Sequence, residues 1–445
     1  MDTNTPGIAA GRLSEADYAR NFSDAHPPLN RTQALIEAER CYYCYDAPCI
    51  TACPTGIDIP SFIQRIAQEN NRGAAQAILE ANPLGGMCAR VCPTEMLCEQ
   101  ACVRNTNESK PVEIGLLQRF ATDAFFSAKP DAKPLFTRAA ATGKKVAVVG
   151  AGPAGLAAAH GLARRGHEVL LFESRPKLGG LNEYGLATYK TTEGFAQQEV
   201  DWLLSIGGIT VKTGSHLGHD ITLNQLAAEF DAVFLGLGLA GVNALGITEP
   251  QCEGVRPAVD FIAELRQSSP AEVRVGQKVL VIGGGMTAVD ASVQSKKLGA
   301  REVTMVYRRG VEGLSASGYE QEWAQKNGVL LRTWAAPKQI LAENGRVTGV
   351  QFAVTALRDG QLVETGEMFT IAADMVLKAI GQSFVPAGVE LQLKSGRIAT
   401  DANGKTSHAK VWAGGDCRFG GRDLTVEAVE HGKQAAISID QFLSA

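Results

Sequence analysis

The period of apolar and polar positions changes along the chain. From Val146 a short apolar run ends in a glycine turn and leads into a helix-period stretch, VAVVGAGPAGLAAAHGLARRGHEVLLFES. From Val279 the same order returns as VLVIGGGMTAVDASVQSKKLGAREVTMVYRR. An apolar run, a glycine turn, an amphipathic helix and a second apolar run form the βαβ signature of a doubly wound parallel sheet. Two copies predict two nucleotide-binding domains. A last passage, VWAGGDCRFGGRDLTVEAVEHGKQAAISID, again runs from strand through loop to helix. Between about Asn30 and Phe126 the texture is different, with short helices round cysteine turns. There SFIQRIAQENNRGAAQAILEAN has helical spacing throughout, with Pro60 near its start and Asn82-Pro83 closing it. The Pro-, Ala- and Lys-rich SAKPDAKPLFTRAAATGKK reads as a linker. The predicted organisation is a helical domain over 1–126, a linker over 127–144, one α/β domain split between 145–270 and 382–445, and a second over 271–381.

Composition narrows the class. A chain of 445 residues exceeds one ordinary core, and 48 glycines with 45% hydrophobic and 20% charged residues describe an α/β protein rich in tight turns. A net charge of −4 and the lack of a dense Lys/Arg tract exclude a nucleic-acid binder. The first thirty residues hold no apolar signal core and no stretch reaches a membrane span, so the expected location is cytoplasmic.

Eight of the ten cysteines lie between Cys41 and Cys102. Their spacing is Cys41-x2-Cys44-x4-Cys49-x3-Cys53-Pro54, then Cys88-x3-Cys92-Pro93-x4-Cys98-x3-Cys102. Thiols crowded this way in a chain without a secretion signal suit metal ligation better than a disulfide framework. Soft thiolates on short loops suit iron–sulfur cubanes, and eight suffice for two. Zinc is the alternative, but its knuckles favour paired C-x2-C, and only one is present. Cys252 and Cys417 stand apart and form no redox-disulfide pair.

Gly150-Ala151-Gly152-Pro153-Ala154-Gly155 follows an apolar strand, opens a helix, and has Glu173 at the end of the next strand. That context makes it a dinucleotide fingerprint: the glycines admit a pyrophosphate at the helix N-terminus and the acid can bond a ribose. In the second copy Gly283, Gly285, Thr287 and Ala288 form the turn, and Arg308 and Arg309 stand where a ribose-binding acid would. Two guanidinium groups there favour the 2′-phosphate of NADP(H), with NAD(H) not excluded. Ala379 and Gly381 complete the nucleotide-binding candidates.

With those residues in hand, the chain resembles the flavoprotein part of dihydropyrimidine dehydrogenase and, more loosely, the glutamate synthase small subunit. The likeness runs from about Ala38 to Leu443 and rests on Arg40 to Ile63 (RCxxCxxAPCxxxCPTxIDIPxFI), Asn82 to Cys98 (NPLGxxCxxVCPTxxLC), Gly150 to Gly155 (GAGPAG) and Ala413 to Asp416 (AGGD). It implies an α-helical N-terminal iron–sulfur domain followed by two α/β Rossmann-like nucleotide-binding domains. It further implies two [4Fe-4S] clusters, one on Cys41, Cys44, Cys49 and Cys102, the other on Cys53, Cys92, Cys98 and Gln118, with Cys88 a free neighbour. Spacing alone nominates Cys88 instead. FAD is implied at Gly150 to Gly155 and Glu173, with further contacts from Gly179, Gly180, Leu181, Gly415, Asp416 and Thr425 and with Lys190 near the phosphates. The segment Leu186-Ala-Thr-Tyr-Lys190 departs from the family pattern.

The resemblance gives the chain the nicotinamide end of a reaction that reduces uracil or thymine to the 5,6-dihydro form. Because the chain stops about where the full-length enzymes continue into an FMN barrel, an FMN- and iron–sulfur-containing partner is expected to carry the pyrimidine step. Hydride transfer between stacked rings needs no protein acid or base, so no catalytic residue is nominated. A glutamate-synthase-type electron donor and a non-enzymatic redox sensor are the competing readings, and a glutamine at 118 favours the pyrimidine one. His431 reads as a packed or solvent-facing helix residue.

Overall fold

A computed structural model describes residues 5–128, 134–386 and 388–445. Part of the expected linker, 129–133, lies outside them. The chain divides into two compact units.

The larger unit comprises His26–Glu183, Glu193–Ala240 and Phe384–Ala445. Its helical part buries one face of each helix: Ile59, Phe62, Ile63 and Ile66 fall at i, i+3, i+4 and i+7 on the Ile59–Ala67 helix. Asp58 caps that helix by accepting from Ser61 N at 3.1 Å. The single helical stretch expected here is two helices, because Glu69 takes a left-handed φ of 59° and Asn70 caps a new one, Asn71–Ala81, accepting from Gly73 N at 2.9 Å. Cys41, Cys49, Cys53 and Cys102 pack against the apolar core of these helices.

The same unit holds a five-stranded parallel sheet in the order Val411–Ala413, Ala232–Leu235, Lys145–Val149, Glu168–Phe172, Ile209–Lys212. The strand pattern is near-continuously apolar because helices cover both faces. The Thr425–Ser444 helix lies against Pro153–Arg164 so closely that a Cβ on Gly432 would come within 2.1 Å of Ala154 O.

The smaller unit comprises Met1–Ala25, Tyr184–Thr192 and Gly241–Ser383. Its parallel sheet runs Val255–Pro257, Met375–Lys378, Lys278–Ile282, Glu302–Val306, Leu330–Arg332. An antiparallel three-stranded sheet, Ala335–Glu343, Arg346–Arg358 and Gln361–Ala372, follows in sequence.

The units divide elsewhere than the expected boundaries. Residues 241–270 go with the second α/β fold because Val255 pairs with Val376 and the Ala258–Gln267 helix buries Phe261 and Ile262 in that core. The N-terminal segment joins it too. Buried Arg12 donates to Val275 O and Thr5 O, and Tyr18 and Phe22 enter the same core. No helix among the described residues is long and apolar enough to cross a membrane.

Candidate functional site: cysteine clusters and two nucleotide turns

Cys41, Cys44, Cys49 and Cys102 line one pocket, together with Tyr42, Arg104 and an apolar floor that includes Ile59, Ile63 and Ile114. The loop closes on itself through Tyr43, whose φ of 51° is left-handed and whose N–H donates to Cys41 Sγ at 3.5 Å. Burial pushes the Cys41 thiol up; the Tyr43 N–H and nearby Arg104 act the other way. Burial, then the neighbouring Cys41 and Cys102, push Cys49 up to about 12. Metal ligation requires these thiols to lose their protons, which a cation at the site favours. Arg104 lies 3.8 Å above the Tyr42 ring and adds positive charge beside sulfurs that iron would leave negative. Four soft donors facing one pocket fit an iron–sulfur cluster. Among the described residues no three His, Cys, Asp or Glu side chains gather as a single-ion site.

A second group forms round Cys92. Its thiol is pushed well up by a hydrogen bond with Cys88, then by burial and by Cys98 and Cys53. Burial, then Glu99 and Cys53, push Cys98 up as well. Gln118, buried on the Ile114–Phe126 helix, donates from Nε2 to Gly85 O at 2.7 Å. That bond fixes the amide and leaves Oε1 at its other end as the atom a metal would meet. Cys88 is buried one turn before Cys92 on the Gly85–Val91 helix. Both contenders for the fourth ligand therefore border the same short helix.

Sequence reasoning missed how that helix is held. Glu199, fully buried, accepts from Gly86 N at 2.7 Å and Met87 N at 3.3 Å. Burial raises its carboxyl to about 8, against the pull of those two N–H groups. The signal was an acid among Phe195, Ala196, Val200 and Leu203, the buried face of its helix. Arg90, from the capped helix, lies 3.4 Å from the Phe195 ring and pairs with Asp123 at 2.6 Å.

The first glycine turn joins the Lys145–Val149 strand to the Pro153–Arg164 helix. Gly150 has φ +94°, and a Cβ there would lie 2.3 Å from Gly236 O. A Cβ on Gly155 would lie 1.8 Å from Gly150 O, so both positions exclude any side chain. Ala151, Pro153 and Ala154 complete the turn. Glu173 accepts from Ala151 N at 2.8 Å and Arg175 N at 2.8 Å, and keeps lone pairs for a hydroxyl. Gly179 N donates to Ala151 O at 2.8 Å, and Gly180 backs onto Gly152, with its neighbour Leu181 exposed. Thr425 Oγ1 donates to Asn182 Oδ1 at 2.9 Å. Burial, then Asp423, raise Asp416 to about 7, while Arg397 opposes them. His431, passed over as packing, accepts from Gly415 N through Nδ1 at 3.2 Å. Burial and then Arg418 bring His431 down to about 4, which keeps the imidazole neutral and able to accept.

The second turn joins Lys278–Ile282 to Met286–Lys297, the helix that carries Thr287 and Ala288. A Cβ on Gly283 would lie 2.1 Å from Ala379 O, and one on Gly285 would meet only Ser315 Oγ, at 3.1 Å. Ala379 continues the adjoining strand, and Gly381, φ +91°, accepts from Asn243 N at 3.1 Å. Arg308 and Arg309 are exposed just past the Glu302–Val306 strand, their backbones held by Thr355 Oγ1 and Trp334 N.

Lys190 has a role other than the phosphate contact expected of it. Its ammonium is buried and paired with Asp290 at 2.8 Å and Glu320 at 2.7 Å. Burial alone would push it down; the two carboxylates overcome that and hold it above its ordinary range. Lys190→Met leaves two buried acids with their counterion gone, which costs roughly 3–5 kcal/mol. Scanning calorimetry should show a transition several degrees lower; an unchanged transition would mean that the triad contributes nothing to the fold.

Comparison with known proteins gives the family of the chain. Residues 18–130 match the family profile described as dihydropyrimidine dehydrogenase domain II, 4Fe-4S cluster. Residues 144–432 match pyridine nucleotide-disulphide oxidoreductase. The NAD-dependent dihydropyrimidine dehydrogenase subunit PreT of Escherichia coli K12 is 35% identical over 418 residues, covering 94% of this chain and 96% of its own. The glutamate synthase [NADPH] small chain of the same organism is 33% identical, covering 95% and 94%. Mycobacterium tuberculosis FprA, solved in complex with NADPH, shares the fold at a TM-score of 0.58 and 17% identity, over 68% of this chain and 85% of that one. The chain belongs to the pyridine nucleotide-disulphide oxidoreductase family, in the group that joins this fold to a dihydropyrimidine dehydrogenase-type 4Fe-4S domain, and it is an NAD(P)H-dependent flavin and iron–sulfur oxidoreductase.

Proposed function

We propose that the chain is the electron-input subunit of an NAD(P)H-dependent dihydropyrimidine dehydrogenase, acting with a partner subunit that carries FMN and iron–sulfur centres and reduces uracil or thymine. Electrons would pass from NAD(P)H through FAD and two [4Fe-4S] clusters to that partner. The observation that carries the reading is the pocket on which Cys102 converges with Cys41, Cys44 and Cys49. It leaves the remaining thiols and Gln118 for a second site, and a glutamine there is the feature that separates this reading from a glutamate-synthase-type donor. That PreT is named as a subunit supports a heteromer.

The bound flavin and clusters supply the change from two-electron to one-electron chemistry. The chain's residues bind and orient. The close turn at Gly150–Gly155 sets backbone N–H groups at a helix N-terminus for the FAD pyrophosphate, and Glu173 stands ready for the adenosine ribose. Asp416 and Thr425 would lie along the rest of the flavin, and Gly415, held by His431, keeps that loop in place. Gly283, Gly285, Thr287, Ala288, Ala379 and Gly381 would receive the nicotinamide nucleotide.

Arg308 and Arg309 decide the nucleotide. A phosphate gripped by arginine gains charge-assisted hydrogen bonds of roughly 1.5–3 kcal/mol each, enough for about a tenfold preference. Steady-state dye reduction should give a higher kcat/KM for NADPH than for NADH, with the gap closing when Arg308 and Arg309 become alanine. A higher value for NADH, unmoved in the double variant, would make the arginines surface groups. The relatives' names include both nucleotides, NAD for PreT and NADPH for the glutamate synthase chain.

A further inference from the structure

One helix, Phe195–Leu204, is held on two sides by parts of the electron route. Side chains two residues apart leave a helix about 200° apart, so Gln197 and Glu199 point to nearly opposite sides. Glu199 meets the Gly85–Val91 helix, on whose C-terminal end Cys92 stands, and accepts from Gly86 N at 2.7 Å and Met87 N at 3.3 Å. The approach is close: a Cβ on Gly86 would come within 2.5 Å of the Phe195 ring. A helix start is ordinarily satisfied by its own cap residue. Here that residue is Leu84, which has no side-chain acceptor, and the carboxylate arrives from 113 positions along the chain. Gln197 meets the loop that carries Gly179 and Gly180, donating from Nε2 to Leu178 O at 2.8 Å and to Glu183 Oε2 at 3.0 Å. That loop is in turn bonded to the first glycine turn, Gly179 N donating to Ala151 O at 2.8 Å. All of these residues belong to the larger unit.

We propose that Glu199 and Gln197 are positioning residues for electron transfer, and that the helix they share sets the separation between the flavin and the second cluster. The inference rests on the route from FAD to two clusters proposed above. In that step one electron leaves the reduced flavin and reduces an oxidised cluster. No bond forms or breaks, so what the fold controls is how far apart and how steadily the two groups are held. A misplacement of about 1 Å can cost a reaction on the order of a hundredfold. A cap from the helix's own sequence would satisfy the Gly86 and Met87 N–H groups without fixing that helix to anything. A carboxylate reaching across from Phe195–Leu204 satisfies them and ties the support of the cluster to that of the flavin, which gives a reason for burying an acid here.

The test uses the full chain with flavin and clusters bound. A low-potential photoreductant delivers one electron in a laser flash, and absorbance follows its redistribution between clusters and flavin, a phase whose rate is independent of protein concentration. Glu199→Ala and Gln197→Ala are each expected to retain native iron and flavin and to slow this redistribution at least about tenfold. Glu199→Gln keeps an oxygen for Gly86 N and should recover most of the rate. Independently of any electron, hydrogen exchange at Gly86 and Met87 should quicken in Glu199→Ala and stay native in Gln197→Ala. A native rate in either alanine variant overturns the proposal. Equal slowing in Glu199→Gln and Glu199→Ala also overturns it, because the effect would then lie in the charge. Where Glu199→Ala fails to fold or loses iron, Gln197→Ala decides: slowed redistribution supports the proposal and a native rate overturns it. No redistribution in the native chain contradicts the electron route on which the proposal stands, and both fall.

Discussion

Cys49→Ala is expected to remove about half of the iron, some four atoms per chain of about eight, while the flavin stays bound. Cys49 faces the same pocket as Cys41, Cys44 and Cys102, and alanine offers iron no donor atom. The loss should extend to local order. The cysteine loops pack on the core that holds Ile59, Phe62 and Leu117, and a cluster would tie the first cysteine run to Cys102 beyond three intervening α-helices. The flavin should survive because the Gly150–Gly155 turn belongs to a parallel sheet with its own core of Val146, Val148, Leu156 and Phe234. Cys252→Ala is the control: it packs beside Leu245 and Val255 in the smaller unit and should leave iron content untouched. Iron and flavin assays on the purified variants check this. Full iron in Cys49→Ala would remove the pocket as a cluster site.

Gly155→Ala is expected to lower flavin affinity at least about tenfold. The new methyl would lie 1.8 Å from Gly150 O, and Gly150 cannot retreat because it already abuts Gly236 O. Overpacking costs about 1–3 kcal/mol, and a 1.8 Å approach to backbone falls in the upper half of that range, a factor of ~30–150, at the turn on which the pyrophosphate would rest. Gly285→Ala makes the contrast. There the methyl meets a serine hydroxyl at 3.1 Å, a group that can rotate, so flavin content should be native and any effect confined to NAD(P)H. Flavin absorbance per chain distinguishes the two. Equal flavin in Gly155→Ala and native protein would contradict the assignment of this turn to FAD.

The parts of this molecule legible in the sequence are those written in local pattern. Each βαβ unit announces itself through strand, glycine and helix within about thirty residues, and the structure has both. The boundary near 270 was misplaced because Val255–Pro257 is a short edge strand whose partner, Met375–Lys378, lies far along the chain, beyond any periodicity. Glu69 looked helical, and only its left-handed backbone splits the stretch round it. Lys190 looks the same in sequence whether it meets a phosphate or, as here, Asp290 and Glu320 a hundred or more residues away. Cysteine spacing pointed to iron but left the grouping open. It is folding that turns Cys102 back onto the first run and brings Cys88 against Cys92.

Under the proposed function the chain takes electrons from NAD(P)H and a partner subunit carries out pyrimidine reduction. The most direct test is steady-state NAD(P)H oxidation by the purified single chain, with a one-electron dye in one arm and uracil or thymine in the other. Steady turnover is expected with the dye and none with either pyrimidine until an FMN-bearing partner is added. Pyrimidine-dependent NAD(P)H oxidation by the chain alone, or no turnover with the dye, would contradict it.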